Sequence, residues 1–378
     1  MKTTCNPLVL GAALALSLFT THAARTAEAA PAPLVQVAIL LDTSGSMQGL
    51  IEQAKGQLWK IVNEFINAKQ NGQRPELQVA LYEYGKSSLP EASGWIRQIV
   101  PLTNDLDRVS EELFKLTTDG GEEYCGWVIK EAVEHLAWSK APNDFKAIFI
   151  AGNEPFTQGP VDYRQSCKAA IEKGIIVNTI HCGDQATGLS TKWQDGALLA
   201  EGKFMFIDHN RAVVHFEAPQ DKEIAQLGVE LNKTYIAYGA AGAQNQARQS
   251  AQDANVFSLA PSAGASVQRA LTKASANYCN TSWDLVDVCK EGALKLADMK
   301  TEALPLEMQK MTKTERATFV ATKTKERGQL QEKINRLNNE RSKYVAEQTK
   351  KLSGTNTLDA VMVSAIREQA VKRNYRFD

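Results

Sequence analysis

The run Val37-Ala38-Ile39-Leu40-Leu41, stopped by Asp42, constrains the fold more than any other stretch of the chain. Five consecutive apolar residues, with Val37, Ile39 and Leu41 at alternate positions, make a strand that is apolar on both faces. Such strands belong to parallel sheets covered by helices on each side. Past Gly49 the period changes, and Leu50, Ile51, Ala54, Leu58, Ile61, Val62 and Phe65 recur at helical spacing. Asp42, Ser44 and Ser46 therefore lie on the loop joining a buried strand to the next helix. In open α/β sheets that loop sits at the carboxyl edge, where ligands bind.

The alternation continues along the chain. Leu77–Tyr84, Trp95–Leu102, Phe145–Ala151, Ile175–Ile180 and Gly202–Asp208 read as further strands. Helical patterns at Asp105–Leu116, at Val128 to Leu136, at Val161–Lys173 and at Trp193–Glu201 separate most of them, and Ile224–Leu231 reads as the closing helix. The expected fold is α/β, a doubly wound, mostly parallel six-stranded sheet with right-handed crossovers, followed by an α-helical C-terminal region.

Asp42-x-Ser44-x-Ser46 offers one carboxylate and two hydroxyls, the donors of a hard cation that keeps several waters, such as Mg²⁺. An alternative use of Asp42 or Ser44 is as a helix cap. The stretch from Val37 to Met47 resembles the first motif of a von Willebrand factor A domain, whose metal-ion-dependent adhesion site begins with this Asp-x-Ser-x-Ser. The resemblance spans residues 33–240.

The resemblance implies a divalent metal, Mg²⁺ or alternatively Mn²⁺ or Ca²⁺, with a coordination position left for an acidic side chain of a partner protein. The family's second motif is a Gly-Gly loop that delivers a Thr. Aligned on Gly120-Gly121 that position is Glu122, while Thr117 or Thr118 serves only if the loop runs differently. Glu122 and Glu123 also suit a helix N-terminus electrostatically. The family's third-motif Asp falls on Gly152 or Asn153, and Asn153 keeps an amide oxygen. The expected metal ligands are Asp42, Ser44, Ser46, Glu122 and Asn153.

Residues 1–30 read as an export leader: Lys2, an apolar core from Pro7 to Phe19, and small residues allowing cleavage after Ala23 or Ala29. The expected location is periplasmic or secreted, with no membrane span after leader removal. Removing Cys5 with the leader leaves Cys125, Cys167, Cys182, Cys279 and Cys289. In an oxidising compartment Cys279–Cys289 is the expected local disulfide, and one pair among Cys125, Cys167 and Cys182, with Cys125–Cys182 as a candidate, leaves one thiol free.

Residues 241–300 read as a linker and disulfide-bearing segment, and residues 301–378 as helical. Within the latter, Leu330, Ile334, Leu337 and Tyr344 on Thr312–Lys351 fit either a short coiled coil or a hairpin with Leu358–Val371, turned at residues 353–356. The expectation is self-association or assembly through these helices. Lys+Arg and Asp+Glu balance at 43 each, so overall charge names no nucleic-acid partner. The charge is uneven, with 16 basic against 10 acidic residues from Thr301 onward and 27 against 33 before it. No nucleophile elbow, phosphate cradle or paired catalytic His is present, so the chain is expected not to be an enzyme.

Overall fold

The computed structural model describes residues 32–66, 68–210, 216–259, 264–292, 294–349 and 358–377. The leader at 1–30 and the turn at 353–356 lie outside the described residues. Eight strands are present among them: β1 Leu34–Asp42, β2 Ala68–Gln70, β3 Glu76–Tyr84, β4 Ile96–Thr103, β5 Phe145–Gly152, β6 Ile176–Cys182, β7 Phe204–Ile207 and β8 Tyr375–Phe377. The helices are α1 Gln48–Asn63, α2 Leu106–Phe114, α3 Cys125–His135, α4 Tyr163–Glu172, α5 Gln185–Ser190, α6 Trp193–Leu199, α7 Asp221–Asn232, α8 Gly242–Ser258, α9 Ala265–Lys273, α10 Leu285–Lys290, α11 Leu306–Gln309, α12 Lys313–Thr349 and α13 Leu358–Val371.

Six strands form the expected sheet in the order β4-β3-β1-β5-β6-β7. All neighbours are parallel except the edge strand β4, which runs antiparallel to β3. β1 occupies the middle, and its parity divides the core. Val35, Val37, Ile39 and Leu41 face the layer of α1, α2 and α13. Ala38 and Leu40 face α3, α4 and α6.

The C-terminal elements belong to the same compact unit as the sheet, residues 32–378. The expected closing helix, α7, leaves the sheet. Its Ile224, Leu227 and Leu231 pack instead with Val267, Ala270 and Leu271 of α9 and Ile334 and Leu337 of α12. The place on the sheet is taken by α13, whose Met362, Ala365, Ile366 and Ala370 join the core beneath α1. A buried amide pair fixes it: Asn178 Nδ2 donates to Gln369 Oε1 at 3.1 Å, and Gln369 Nε2 donates back at 2.5 Å. β8 then pairs antiparallel with β2. The Ala, Gly and Gln stretch from Gly239, which reads as a linker or an exposed helix, forms the helix α8.

A buried charge cluster joins this extension to the sheet layer. Arg269 of α9 is paired with Asp253 of α8 and, at 2.7 Å, with Asp107 of α2, and its guanidinium lies 4.6 Å from the Trp59 ring centroid on α1. The Tyr278 hydroxyl donates to the second Asp107 oxygen at 2.5 Å. Removing one member of such a buried pair strands the other charge, at about 3–5 kcal/mol.

All five described cysteines are free thiols. The candidate Cys125–Cys182 pairing fails because the two residues face opposite sides of the sheet, Cys182 with Ile180 toward α1 and Cys125 among the residues under α3. Cys279 and Cys289 are half-buried and unpaired.

If α13 is an integral layer, Ile366→Ala should cost about 2–5 kcal/mol in urea unfolding. The half-buried Val361→Ala on the same helix should cost clearly less. Equal and small costs would show α13 to be a loosely attached appendage.

Candidate functional site

The carboxyl edge of β1 delivers Asp42 into a fully buried position, at 0% exposure. Its Oδ1 accepts the Ser44 main-chain N–H at 2.7 Å. Its Oδ2 accepts no hydrogen bond. The Ser44 hydroxyl and the Asn153 main-chain N–H favour the ionised form, but burial outweighs them and pushes the carboxyl up to about 7. Ser44 Oγ lies 3.4 Å from Ser46 Oγ, and Asn153 Nδ2 donates to Ser46 Oγ at 3.2 Å. The amide's other end, Asn153 Oδ1, is buried without a partner. Four of the five expected ligand residues are therefore brought together.

Glu122 is the exception. It is exposed and accepts a hydrogen bond from Gln158 Nε2 at 2.9 Å. Its neighbour Glu123 turns inward instead, buried at 7% exposure against the Ser44 hydroxyl. Burial, together with the nearby Asp42 charge, lifts the Glu123 carboxyl to about 8. Loop packing sets this register. The Asp119 N–H donates to the Thr43 carbonyl at 3.0 Å, and a Cβ on Gly121 would sit 2.2 Å from the Gly85 carbonyl oxygen. Gly85 itself has φ +82°, and a Cβ there would meet Glu123 Cγ at 2.7 Å and Asp42 Oδ1 at 2.9 Å. Thr117 and Thr118 are occupied elsewhere, by Lys86 Nζ at 2.7 Å and Gln48 Oε1 at 3.1 Å.

Gly152 closes the rear of the site. A Cβ at this position would lie 2.5 Å from the Tyr84 hydroxyl and 3.0 Å from Asp42 Oδ2. No larger side chain fits there without displacing Asp42, so Asn153 is the residue that takes the third-motif position.

Residues 36–195 match the family described as von Willebrand factor type A domain. Over that stretch the chain is similar to a von Willebrand factor A domain. No curated protein matches the chain. Similar solved structures include BatB from Bacteroides thetaiotaomicron, 19% identical, covering 46% of this chain and 90% of that one at a TM-score of 0.35. Proximal thread matrix protein 1 from the mussel byssus, with zinc occupied MIDAS motif, is 15% identical over 46% of this chain and 42% of its own, at 0.36. The SpRpn10 VWA domain is 18% identical over 46% and 88%, at 0.36.

The donors gathered here fit a divalent metal. Asp42 and Glu123 supply charge, Ser44 and Ser46 hydroxyls, and Asn153 a free amide oxygen, all of them hard ligands. Among the described residues no group of three or more His, Cys, Asp or Glu is placed to hold a metal, so coordination depends on the hydroxyl and amide oxygens. A cation would satisfy the unpartnered oxygens and relieve the repulsion between the carboxylates.

Both carboxyl values lie above those of an unfolded chain. The metal-free folded domain thus binds more protons than the unfolded chain between about pH 4 and 8, and it loses stability as pH rises through that window. For Asp42 alone, moving from 3.8 to about 7, the limit is roughly 4 kcal/mol. In chelator, the thermal midpoint of the wild type should fall from pH 5 to 8 more steeply than that of Asp42→Asn. Identical slopes would contradict this reading.

Proposed function

We propose that the chain is an exported, non-enzymatic binding module whose A domain uses a divalent cation to engage an acidic side chain of a partner protein. The observation that carries this reading is the pair of buried oxygens without hydrogen bonds, Asp42 Oδ2 and Asn153 Oδ1, beside a second buried carboxylate. Orphaned buried acceptors are costly, and a bound cation removes that cost. Two carboxylates balance a divalent charge, so a partner's carboxylate would approach a site with little net repulsion.

A catalytic role has less support. Cys125, 3.8 Å from the Tyr84 hydroxyl, is buried and held protonated, which removes it as a nucleophile. Self-association through the C-terminal helices would have to use surfaces other than Ile334 and Leu337 of α12, which are buried within the chain with Leu330 packed against them. Export rests on the leader pattern alone. No described helix is long and apolar enough to cross a membrane.

Mg²⁺ at a hundred times its dissociation constant should stabilise the folded protein by about 2.7 kcal/mol, read as a higher thermal midpoint. Asp42→Ala and Glu123→Ala should abolish the rise, and Glu122→Ala should keep it. Loss in Glu122→Ala with retention in Glu123→Ala would overturn the ligand assignment. Partner capture that survives chelator would overturn the cation's role.

A further inference from the structure

The amino edge of the sheet, opposite Asp42, bears a cleft of about 690 Å³. It lies between the segment from Leu136 to Lys146, the end of α4 at Lys173-Gly174, and Arg373 in the turn from α13 to β8. Four cations line it, Lys140, Lys146, Lys173 and Arg373, against the single carboxylate of Glu172. None of the four forms an ion pair among the described residues, and Asp144 and Glu134 act on Lys146 and Lys173 only at longer range.

Three of the cations are tethered to main-chain carbonyls instead. Lys146 Nζ donates to Ser139 O at 2.9 Å and Lys173 O at 2.7 Å. Lys173 Nζ donates to Val133 O at 2.8 Å, and Arg373 Nη1 to Pro142 O at 2.7 Å. These bonds hold the side chains in place while leaving donors unused: one on Lys146, two on Lys173 and four on Arg373. Lys146 is only 5% exposed, and its charge is answered by two carbonyls and the more distant Asp144 with no ion pair among the described residues. Burial and the neighbouring Arg373 charge hold it below the usual lysine range, the direction a bound anion would reverse. Leu136 and Trp138 add an apolar wall.

We propose that this cleft binds a small phosphate monoester, its dianionic phosphate among Lys140, Lys146, Lys173 and Arg373 and its organic group against Trp138. Fixed ammonium and guanidinium donors around a desolvated position suit phosphate, and the apolar wall distinguishes an ester from the free ion. The site is separate from the Asp42 cluster and does not rest on it.

The test is isothermal titration of the full chain with phenyl phosphate, with inorganic phosphate and phenol as probes of each half. Saturable binding of phenyl phosphate is expected, tighter than either probe and weakened by salt. Lys146→Met is buried and prone to misfold, so the deciding variant is Lys140→Glu/Arg373→Glu, both partly or fully exposed. It should lose at least tenfold in affinity while keeping the wild-type thermal midpoint, and Asp42→Ala should bind as wild type. Absence of saturable heat, or unchanged affinity in the double variant, would overturn the proposal.

Discussion

The burial of one carboxylate at the end of the central strand is the constraint from which the site follows. Asp42 sits where β1 emerges from a core apolar on both faces, so it cannot reach bulk water. One of its oxygens accepts the Ser44 N–H and the other accepts no hydrogen bond, while the Ser44 hydroxyl and the Asn153 N–H only partly offset the burial. Among the described residues no cationic side chain pairs with Asp42. The surroundings provide hydroxyls, an amide oxygen and a second carboxylate, Glu123, which make the deficit larger. Glycines at 85, 121 and 152 let three loops close around this point, since a Cβ at any of them would collide with a neighbour. An arrangement so deficient in positive charge is intelligible as a cation site and expensive as anything else.

Keeping that edge rigid falls partly to the far end of the chain. α13 fills the sheet face beneath α1 and is held by the Asn178–Gln369 amide pair and by Lys60 to Asp359 at 2.5 Å. Arg269 ties α9 and α8 to α2 and α1. The helix that starts immediately after the Asp42 loop is thus gripped by elements two to three hundred residues away in sequence. The C-terminal region belongs to the domain's packing.

Much of this was legible in the sequence where the determinants are local. The apolar run ending in Asp42, and the change to helical period after Gly49, place Asp42, Ser44 and Ser46 at the sheet edge without further information. The inward turn of Glu123 was not legible, because Gly121 packing on Gly85 sets it and those residues are distant in sequence. An adjacent pair of glutamates was the available signal, and it does not say which one faces the site. Likewise α7 and α13 each present an apolar face, and only their fit to α9 and α1 decides which covers the sheet. Strand parity did hold the information that Cys182 faces with Ile180. Which helices cover that face was what the sequence did not specify.

The most direct measurement of the central claim is proton release on metal binding. Mn²⁺ titrated calorimetrically into the protein at pH 7, in buffers of differing ionisation enthalpy, should bind at one site and release about one proton or slightly more. The carboxyls of Asp42 and Glu123, held near 7 and 8, must ionise to coordinate it. The release should vanish above pH 9. Binding without proton release, or no binding at all, would contradict the assignment of this buried pair as the cation's anchor.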